Sequence, residues 1–312
     1  MKEIIPLQNI MIEHLVLSGG GTVGFIYVGI LKNLITLKYL DMSKIKTIHA
    51  VSVGGIIGGL LALNHSIETI EEYIVNKPWG RVFDFNISTV IEALRIGGLF
   101  NEAWIYDFFK SFILSQDLSL DITLQELYEF NPIEIHFYVT EVTEFCKVDI
   151  SYKTHPNWKL LDAIYASLAI PVIFAPITVD NKIYIDGAIF MNYPLEPCID
   201  QVDDPDTILA CYLKVNEYQY KETEYKILDY ILLLVMKLWK HAKTPIDDKK
   251  RNTVKHQYMV TWPFSMDSII ECIKSKQERE RMVLFGIGLG SYDCTFSSGS
   301  GDSSPSIGGG GT

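Results

Sequence analysis

Cysteine is scarce in this chain and follows no recognisable spacing. The 312 residues include five cysteines, which lie too far apart for a Cys-x-x-Cys pair or a zinc motif. They are Cys146, Cys198, Cys211, Cys272 and Cys294. An odd, dispersed set is typical of reduced thiols in a cytosolic setting. We therefore expect no disulfide framework, no metal site and no cofactor.

Long apolar runs and an excess of basic charge are also missing. Residues 1–6 lack the apolar core of a secretory signal. The longest apolar stretch, residues 230–236, is far shorter than a membrane span. The net charge of −11 argues against nucleic acid as a partner. We expect a soluble, cytoplasmic protein that is long enough for one large α/β domain and an extension.

Ser52 lies between an apolar run and a helix-like stretch that begins with glycines. Residues 48–51 predict a buried strand, and residues 53–55 contain two glycines. In a nucleophile elbow, the pattern Gly-x-Ser-x-Gly holds a serine at a sharp strand-to-helix turn, where its hydroxyl can attack a carbonyl carbon. Here Ala50 replaces the first glycine and Gly54 supplies the last. The pattern predicts a serine hydrolase, although such a serine also occurs in purely structural turns.

A glycine-rich loop follows an earlier predicted strand, and two interpretations of it compete. Gly19, Gly21 and Gly24 satisfy the dinucleotide fingerprint Gly-x-Gly-x-x-Gly, which also requires an acidic residue at the end of the next strand. Asp41 has a suitable spacing but precedes that strand, and Ser52 ends it. Free N–H groups at the start of a helix can also hold an oxyanion. The loop is therefore better interpreted as an oxyanion hole.

A nucleophilic serine needs a base, and the usual choice is histidine. His14 and His49 lie near the two motifs, the other five histidines have no companion motif, and we expect structural or surface roles for all seven. The carboxylate candidate is Asp186, which ends a predicted strand and precedes Gly187 and Ala188. In isolation it would be interpreted as a turn residue. Together with the serine and the glycine loop it becomes the base candidate.

The glycine loop, the serine elbow and the Asp-Gly-Ala motif, in this order, resemble the patatin-like phospholipase family. Further similar positions are residues 162–176, residues 192–194, Gly98, Leu99, Phe100 and Thr140. The resemblance spans residues 11–197. It implies a three-layer α/β/α fold with a central, mostly parallel sheet.

The same resemblance implies a Ser-Asp dyad that works without histidine. Ser52 would be the nucleophile and Asp186 the base. The implied oxyanion hole comprises Gly19, Gly20 and Gly21, with the N–H groups of Gly20 and Gly21 as donors. The expected function is a lipid acyl hydrolase of phospholipase A type, which cleaves fatty-acyl esters of phospholipids or other acyl lipids through an acyl-enzyme.

Two positions depart from the family pattern. Ala50 replaces the first glycine of the elbow, and Val23 stands where family members carry Arg or Lys before the last glycine of the loop. These departures leave open a catalytically impaired, lipid-binding relative. An acyltransferase that uses the same acyl-enzyme is also consistent with the sequence, because only the acceptor differs.

The expected organisation has three parts. Residues 11–214 form a patatin-like catalytic domain, residues 215–296 a mainly helical extension, and residues 297–312 a flexible low-complexity tail. Within the extension, residues 227–255 combine an apolar run with basic residues. This stretch is either a peripheral contact with a lipid interface or a core-packed helix with a solvated basic edge, and we favour the second interpretation.

Overall fold

The structure is a computed structural model that describes residues 11–82, 95–214, 230, 237, 247–262 and 266–291. The predicted tail and Cys294 lie outside these ranges. The strands are β1 (His14–Leu17), β2 (Thr47–Ala50), β3 (Gly98–Phe100), β4 (Glu134–Glu141), β5 (Cys146–Ile150), β6 (Val172–Phe174), β7 (Ile177–Val179), β8 (Lys182–Asp186), β9 (Ile208–Lys214) and β10 (His256–Thr261). The α-helices are α1 (Gly24–Thr36), α2 (Val53–Ala62), α3 (Ile67–Asn76), α4 (Trp79–Val82), α5 (Ala103–Ser115), α6 (Leu124–Phe130), α7 (Leu160–Leu168), α8 (Leu195–Ile199), α9 (Asp248–Arg251), α10 (Met266–Lys274) and α11 (Lys276–Gly290). Short 3₁₀ helices cover Gly21–Val23, Met42–Lys44, Gly187–Ile189 and Pro205–Thr207.

The central sheet has the strand order β10-β9-β1-β2-β4-β8-β7, and β5 also pairs with β4. The ladders that connect β10, β9, β1, β2 and β4 are parallel. The ladders of β5, β7 and β8 are antiparallel. Strands β3 and β6 form a separate parallel pair. The predicted α/β class with a mostly parallel central sheet is confirmed.

Strand β1 is buried along its length because both faces of the sheet are covered. Leu15 and Leu17 belong to the larger core, which includes side chains of α1, α2, α5 and α7. Val16 faces the opposite side, where it joins Leu195 and Cys198 of α8. A strand that is buried on both faces has an uninterrupted apolar sequence. This arrangement explains the apolar run that predicts the strand.

The C-terminal elements are built into the same fold. Strand β10 pairs with β9, and α11 packs across α1. The two helices approach so closely that a Cβ atom added to Gly29 or Gly286 would overlap a carbonyl oxygen of the other helix. Buried Arg279 of α11 donates hydrogen bonds to the carbonyls of Val75 and Cys272, at 2.9 and 2.8 Å. The last helix is therefore tied to α1, α3 and α10.

Most of the 227–255 stretch lies outside the described residues. In its described end, Lys250 pairs with Asp200 at 2.7 Å, and Lys255 pairs with Asp206. These ion pairs lie at the surface. Within the described ranges, no helix combines the length and the apolar character needed to cross a membrane.

The parallel strands end at a common edge of the sheet. Leu17 of β1, Ala50 of β2 and Phe137 of β4 are in register, so the segments that follow β1 and β2 emerge side by side. Strand β8 runs antiparallel to β4 and ends at Asp186, just beyond the level of Phe137. The glycine loop, Ser52 and Asp186 therefore lie at the carboxyl edge of the parallel strands, where ligand sites of α/β sheets form.

Candidate active site

Ser52 occupies a strained turn between β2 and α2. Its backbone has φ 54° and ψ −125°, a conformation that costs a non-glycine residue on the order of 1–3 kcal/mol. Its side chain does not cap α2. The Ser52 N–H lies 3.0 Å from the hydroxyl oxygen of Ser167 and 3.1 Å from the Ser167 carbonyl oxygen, and it donates to both. These hydrogen bonds from a distant segment hold a turn that the residue alone would not keep.

Small residues on both sides of Ser52 allow the elbow to pack closely. A Cβ atom added to Gly54 would overlap the carbonyl oxygen of Leu17, so only glycine fits at this contact between α2 and β1. Ala50 is a fully buried strand residue that does not have a positive φ. Its methyl group faces Gly58 of α2. The structure therefore accommodates alanine at the first position of the elbow without backbone strain.

The glycine loop lies directly against Ser52. A Cβ atom added to Gly19 would be 3.1 Å from the Ser52 Cβ and would overlap Asn192. The Gly19 N–H donates to the Asn192 carbonyl at 3.1 Å. In the described part of the chain, the N–H groups of Gly20 and Gly21 donate to no backbone carbonyl. Of the three predicted loop residues, only Gly20 and Gly21 therefore keep an N–H available for a ligand.

Asp186 is fully buried at the end of β8, and its position is fixed from three sides. Its Oδ1 accepts a hydrogen bond from the Ala188 N–H at 2.7 Å. Its own N–H donates to the Ala169 carbonyl, and its carbonyl accepts from the Thr140 hydroxyl, both at 3.0 Å. Its Oδ2 has no hydrogen-bond partner among the described residues. The Ser52 side chain interacts with this carboxyl group, but the contact falls short of a formed hydrogen bond.

The environment of Asp186 brings the pKa of its carboxyl group close to neutral pH. Burial raises the pKa of Asp186 to about 7, although the Ala188 N–H and the Ser52 side chain lower it in part. Gly187 allows the backbone of β4 to pack closely beside Asp186, because a Cβ atom at that position would overlap the carbonyl oxygen of Tyr138. A carboxyl group with this pKa can accept and return a proton near pH 7.

The buried histidines near the predicted motifs have other partners. His49 and His136 stack with their ring centroids 4.4 Å apart, and His49 Nδ1 shares a hydrogen bond with the Tyr138 hydroxyl at 2.8 Å. His136 lies between Asp149, at 2.9 Å, and Glu134, at 3.2 Å. The Glu134 contact is an ion pair without hydrogen-bond geometry. Among the described residues, no group of three or more His, Cys, Asp and Glu side chains is arranged to hold a metal ion.

Val23, the second departure from the family pattern, is fully buried in the larger core. A Cβ atom added to Gly20 would be 3.2 Å from the Val23 Cβ. An arginine or lysine with this backbone position would have to place its charge in an apolar environment, which is costly without a partner. Valine therefore serves core packing beside the glycine loop.

The family to which the chain belongs follows from comparison with known proteins. Residues 15–199, more than half of the chain, match the family model described as patatin-like phospholipase. The chain belongs to the patatin-like phospholipase family. The matched region includes the glycine loop, the elbow at Ser52 and Asp186.

Two relatives of this patatin-like chain carry names of lipid-cleaving enzymes. It is 30% identical over 190 residues to "Probable lipid hydrolase 463L" of Invertebrate iridescent virus 6, which covers 60% of this chain and 63% of the viral protein. It is 24% identical over 234 residues to "Triacylglycerol lipase 4" of Saccharomyces cerevisiae, which covers 68% of this chain and 25% of the yeast protein. The chain thus spans less than two thirds of the length of either relative. Among solved structures, VipD from Legionella pneumophila aligns with a TM-score of 0.47 and 14% identity, over 87% of this chain and 66% of VipD.

Two residues of the patatin-like site had no assigned role in the sequence motifs. Ser167 holds the backbone of Ser52, and Asn192 holds that of Gly19. Both belong to segments that resemble the family, residues 162–176 and 192–194. The sequence signal is limited to two polar residues within these segments, because their contacts depend on how the loops meet.

Proposed function

We propose that the protein is a lipid acyl hydrolase of phospholipase A type, with Ser52 as the nucleophile and Asp186 as the base. The observation that carries the proposal is a fully buried carboxyl group beside a serine in a strained turn. Burial raises the pKa of Asp186 to about 7, and its Oδ2 has no hydrogen-bond partner in the described residues. Near neutral pH such a group can act as base and then as acid, so no histidine is needed.

In the proposed reaction, Asp186 accepts the proton of the Ser52 hydroxyl while the Ser52 Oγ bonds to the ester carbonyl carbon. The carbonyl oxygen becomes an oxyanion that accepts hydrogen bonds from the Gly20 and Gly21 N–H groups. The bond to the alcohol then breaks, and the alcohol leaves with the proton from Asp186, so Ser52 remains acylated. Water attacks the acyl-enzyme and gives a proton to Asp186. The Ser52 Oγ takes this proton back as the fatty acid departs.

Apolar surroundings of the elbow support an apolar acyl chain as part of the substrate. Gly24 lies against Val53, the residue after the proposed nucleophile, and Phe25 follows it in α1. Ring contacts lead from Phe25 to Trp79 at 6.4 Å and from Trp79 to Trp104 at 6.3 Å, and these three partly buried rings pack against the larger core. Sites for apolar ligands are built mainly from such side chains.

The alternative of a catalytically impaired, lipid-binding relative depends on Ala50 and Val23. Ala50 has ordinary strand geometry, and Val23 contributes to the core. Neither residue removes a backbone donor of the glycine loop, and neither disturbs the turn at Ser52. We therefore favour an active enzyme.

Covalent labelling tests the proposal. We expect the purified protein to react with a fluorophosphonate probe and to hydrolyse both a short soluble ester and phospholipid vesicles. Ser52→Ala and Asp186→Asn should abolish both activities. Ser151→Ala, which removes another fully buried serine hydroxyl, is the matched control and should retain them.

Each negative result has a distinct meaning. Undiminished labelling of Ser52→Ala would refute the assignment of Ser52 as the nucleophile. Normal turnover by Asp186→Asn would refute the assignment of Asp186 as the base. A wild-type protein that neither labels nor hydrolyses would favour the lipid-binding alternative. Analysis of the products with an added alcohol distinguishes transfer to water from transfer to another acceptor.

A further inference from the structure

The β4–β5 hairpin extends past the edge of the sheet that carries Ser52. Phe137 of β4 is level with Ala50 of β2, and β4 continues from there to Glu141. These four additional residues correspond to roughly 13 Å of extended chain. Residues 142–145 then turn into β5. The tip of the hairpin therefore lies beyond the candidate active site, at the end of the sheet from which a substrate approaches it.

The tip of this hairpin is apolar and exposed. Phe145 is 58% exposed, and Val142 and Ile183 are exposed as well. The Val142 N–H donates to the Ile183 carbonyl at 2.8 Å. The Phe145 ring packs edge-to-face on the half-buried Phe190, with the centroids 4.9 Å apart. We call these four residues the hairpin patch, and contiguous exposed apolar side chains of this kind mark interaction sites.

The backbone of Phe145 indicates that its ring does not serve the stability of the turn. Its φ is 47°, in the left-handed region where glycine and asparagine are favoured in hairpin loops. Phenylalanine at this position strains the backbone and also leaves more than half of its surface in solvent. Since the ring strains the turn and its contact with Phe190 leaves more than half of it in solvent, we expect it to contact something outside the protein.

Phe190 connects the hairpin patch to the candidate active site. The segment from Asp186 to Asn192 begins at the buried carboxyl group and ends at the glycine loop, and Phe190 lies within it. The N–H groups of Phe190 and Met191 both donate to the Gly187 carbonyl, at 3.1 and 2.8 Å, which folds the segment into a tight turn. An external surface that contacts Phe190 therefore lies within a few residues of both Asp186 and the segment that holds the glycine loop.

The charges around the hairpin patch are mixed. Lys147, Lys182 and Glu144 flank it as exposed side chains. Both carboxylate oxygens of Glu141 are occupied, because they accept the backbone N–H groups of Thr143 and Glu144. The net charge of −11 disfavours an anionic membrane at long range. An uncharged centre with a rim of both signs fits a zwitterionic lipid surface, whose headgroups also carry both signs.

We propose that the hairpin patch docks the protein on a zwitterionic lipid–water interface. Phe145 and Val142 insert among the acyl chains, as apolar side chains of peripheral proteins do. Docking at this end of the sheet brings the candidate active site against the lipid. This inference rests on the proposed function, because it assigns the surface through which a lipid hydrolase would meet its substrate.

The test replaces the inserted side chains without disturbing the fold. Phe145→Asn loses the ring contact with Phe190 but relieves the strain of the positive φ, so its melting temperature should change little. Partition of this variant into phosphatidylcholine vesicles, measured by flotation, should be about tenfold weaker than that of the wild type. The added substitution Val142→Thr, which preserves the side-chain shape, should weaken it further. Vesicle hydrolysis should fall in parallel, whereas turnover of a short soluble ester should not change.

A matched control lies at the other end of the sheet. Leu37 is 56% exposed and follows α1, which begins at the glycine loop and returns to the opposite edge. Leu37→Ser removes an equally exposed apolar side chain and should leave vesicle partition and both hydrolytic activities unchanged. Equal effects of Leu37→Ser and Phe145→Asn would overturn the proposal, because they would show nonspecific hydrophobic adsorption.

Further outcomes decide between docking and its alternatives. Wild-type partition that is absent, or unchanged in Phe145→Asn, would overturn the proposal. A dimer that dissociates in Phe145→Asn while vesicle partition stays constant would assign the patch to a contact between two copies of the chain. Ser52→Ala should still bind vesicles. If the wild type hydrolyses no ester at all, the proposed function fails, yet the comparison of wild type with Phe145→Asn still decides whether the patch binds lipid.

Discussion

The Ser52 N–H donates to the Ser167 hydroxyl at 3.0 Å, and the same hydroxyl donates to the Tyr138 carbonyl at 3.0 Å. One side chain thus joins the elbow, α7 and β4 at a single point. Because Ser52 has a positive φ, its conformation depends on such surroundings. In the proposed mechanism, Ser167 positions the nucleophile without contacting the substrate.

Removal of the Ser167 hydroxyl should impair both stability and turnover. In Ser167→Ala, the Tyr138 carbonyl loses its donor and the Ser52 N–H keeps only the Ser167 carbonyl. We expect a loss of about 1–2 kcal/mol in the free energy of unfolding. The kcat for a soluble ester should fall about tenfold with little change in KM, because the substitution displaces the nucleophile but leaves substrate binding unaffected. Urea unfolding and steady-state kinetics measure both, and an unchanged kcat would show that the carbonyl bond alone holds the turn.

The activity should depend on pH through Asp186. A base has to be ionised, and burial raises the pKa of Asp186 to about 7. We therefore expect kcat/KM for a soluble ester to decrease as the pH falls below about 7, with an apparent pKa near that value. A pH–rate profile of the wild type checks this. A profile that stays flat down to about pH 5 would contradict a base with a raised pKa.

The same pKa shift should make the ionised Asp186 a cost to folding. Below the unfolded-state pKa of 3.8, both states are protonated and the group contributes nothing. Between about pH 4 and about pH 7 the unfolded state ionises first, so stability falls as pH rises, by up to about 4 kcal/mol. Asp186→Asn cannot ionise, and its advantage in unfolding free energy over the wild type should grow across this window. Denaturant titrations at both ends of the window measure the difference, and a constant difference would argue against the shift.

Ala50→Gly should restore the family pattern without improving the enzyme. Ala50 is a buried strand residue with ordinary backbone geometry, so glycine relieves no strain. We expect a loss of about 0.5–1 kcal/mol in stability, from the greater freedom of glycine in the unfolded chain, and no increase in kcat. Thermal unfolding and ester hydrolysis check the two effects. A clear gain in activity would instead support the view that the chain is catalytically impaired.

Protonated His136 should stabilise the folded protein, and this contribution should be lost in alkaline solution. Burial lowers the pKa of His136, but Asp149 and Glu134 raise it more, to about 9. Because the folded-state pKa lies above the unfolded value of 6.5, the contribution is fully present below pH 6.5 and is lost as the pH rises towards about 9. It amounts to at most about 3 kcal/mol. His136→Gln should flatten this decline in chemical denaturation experiments.

His155→Gln is the control for that measurement. Burial lowers the pKa of His155, so its titration contributes below pH 6.5 and not in the alkaline window. The pH dependence of this variant above neutrality should match that of the wild type. An identical flattening in both histidine variants would contradict the assignment to His136.

The local parts of the fold were predictable because short segments carry them. A strand buried on both faces needs an apolar run, as in residues 15–17, and a serine between such a run and glycines has few alternatives to a sharp turn. The contacts of Ser52 with Ser167 and of Gly19 with Asn192 were not predictable. They join residues more than a hundred positions apart, and they form only when the sheet has brought the loops together.

The register of the strands and the pairing of the edge strand could not be predicted from the sequence either. The stack of His49 on His136 requires that β2 and β4 align at these two residues, and neither strand sequence specifies that offset. Strand β10 lies at the edge of the sheet, within residues 215–296, for which the sequence predicts a mainly helical extension. The exposed ring of Phe145 becomes informative only when its positive φ and its place beyond the site are known.

Because α11 crosses α1 at Gly29 and Gly286, the part of this chain that has to be inherited in one piece is longer than the region that matches the family. The family match ends at residue 199, but α1, which starts at the glycine loop, is covered by a helix that comes much later in the chain. A gene fragment that encoded only the matched region would lack β9, β10 and α11, so this face of α1 would be bare and one edge of β1 unpaired. Recombination that moves the active site into another protein therefore has to carry β9, β10 and α11 with it.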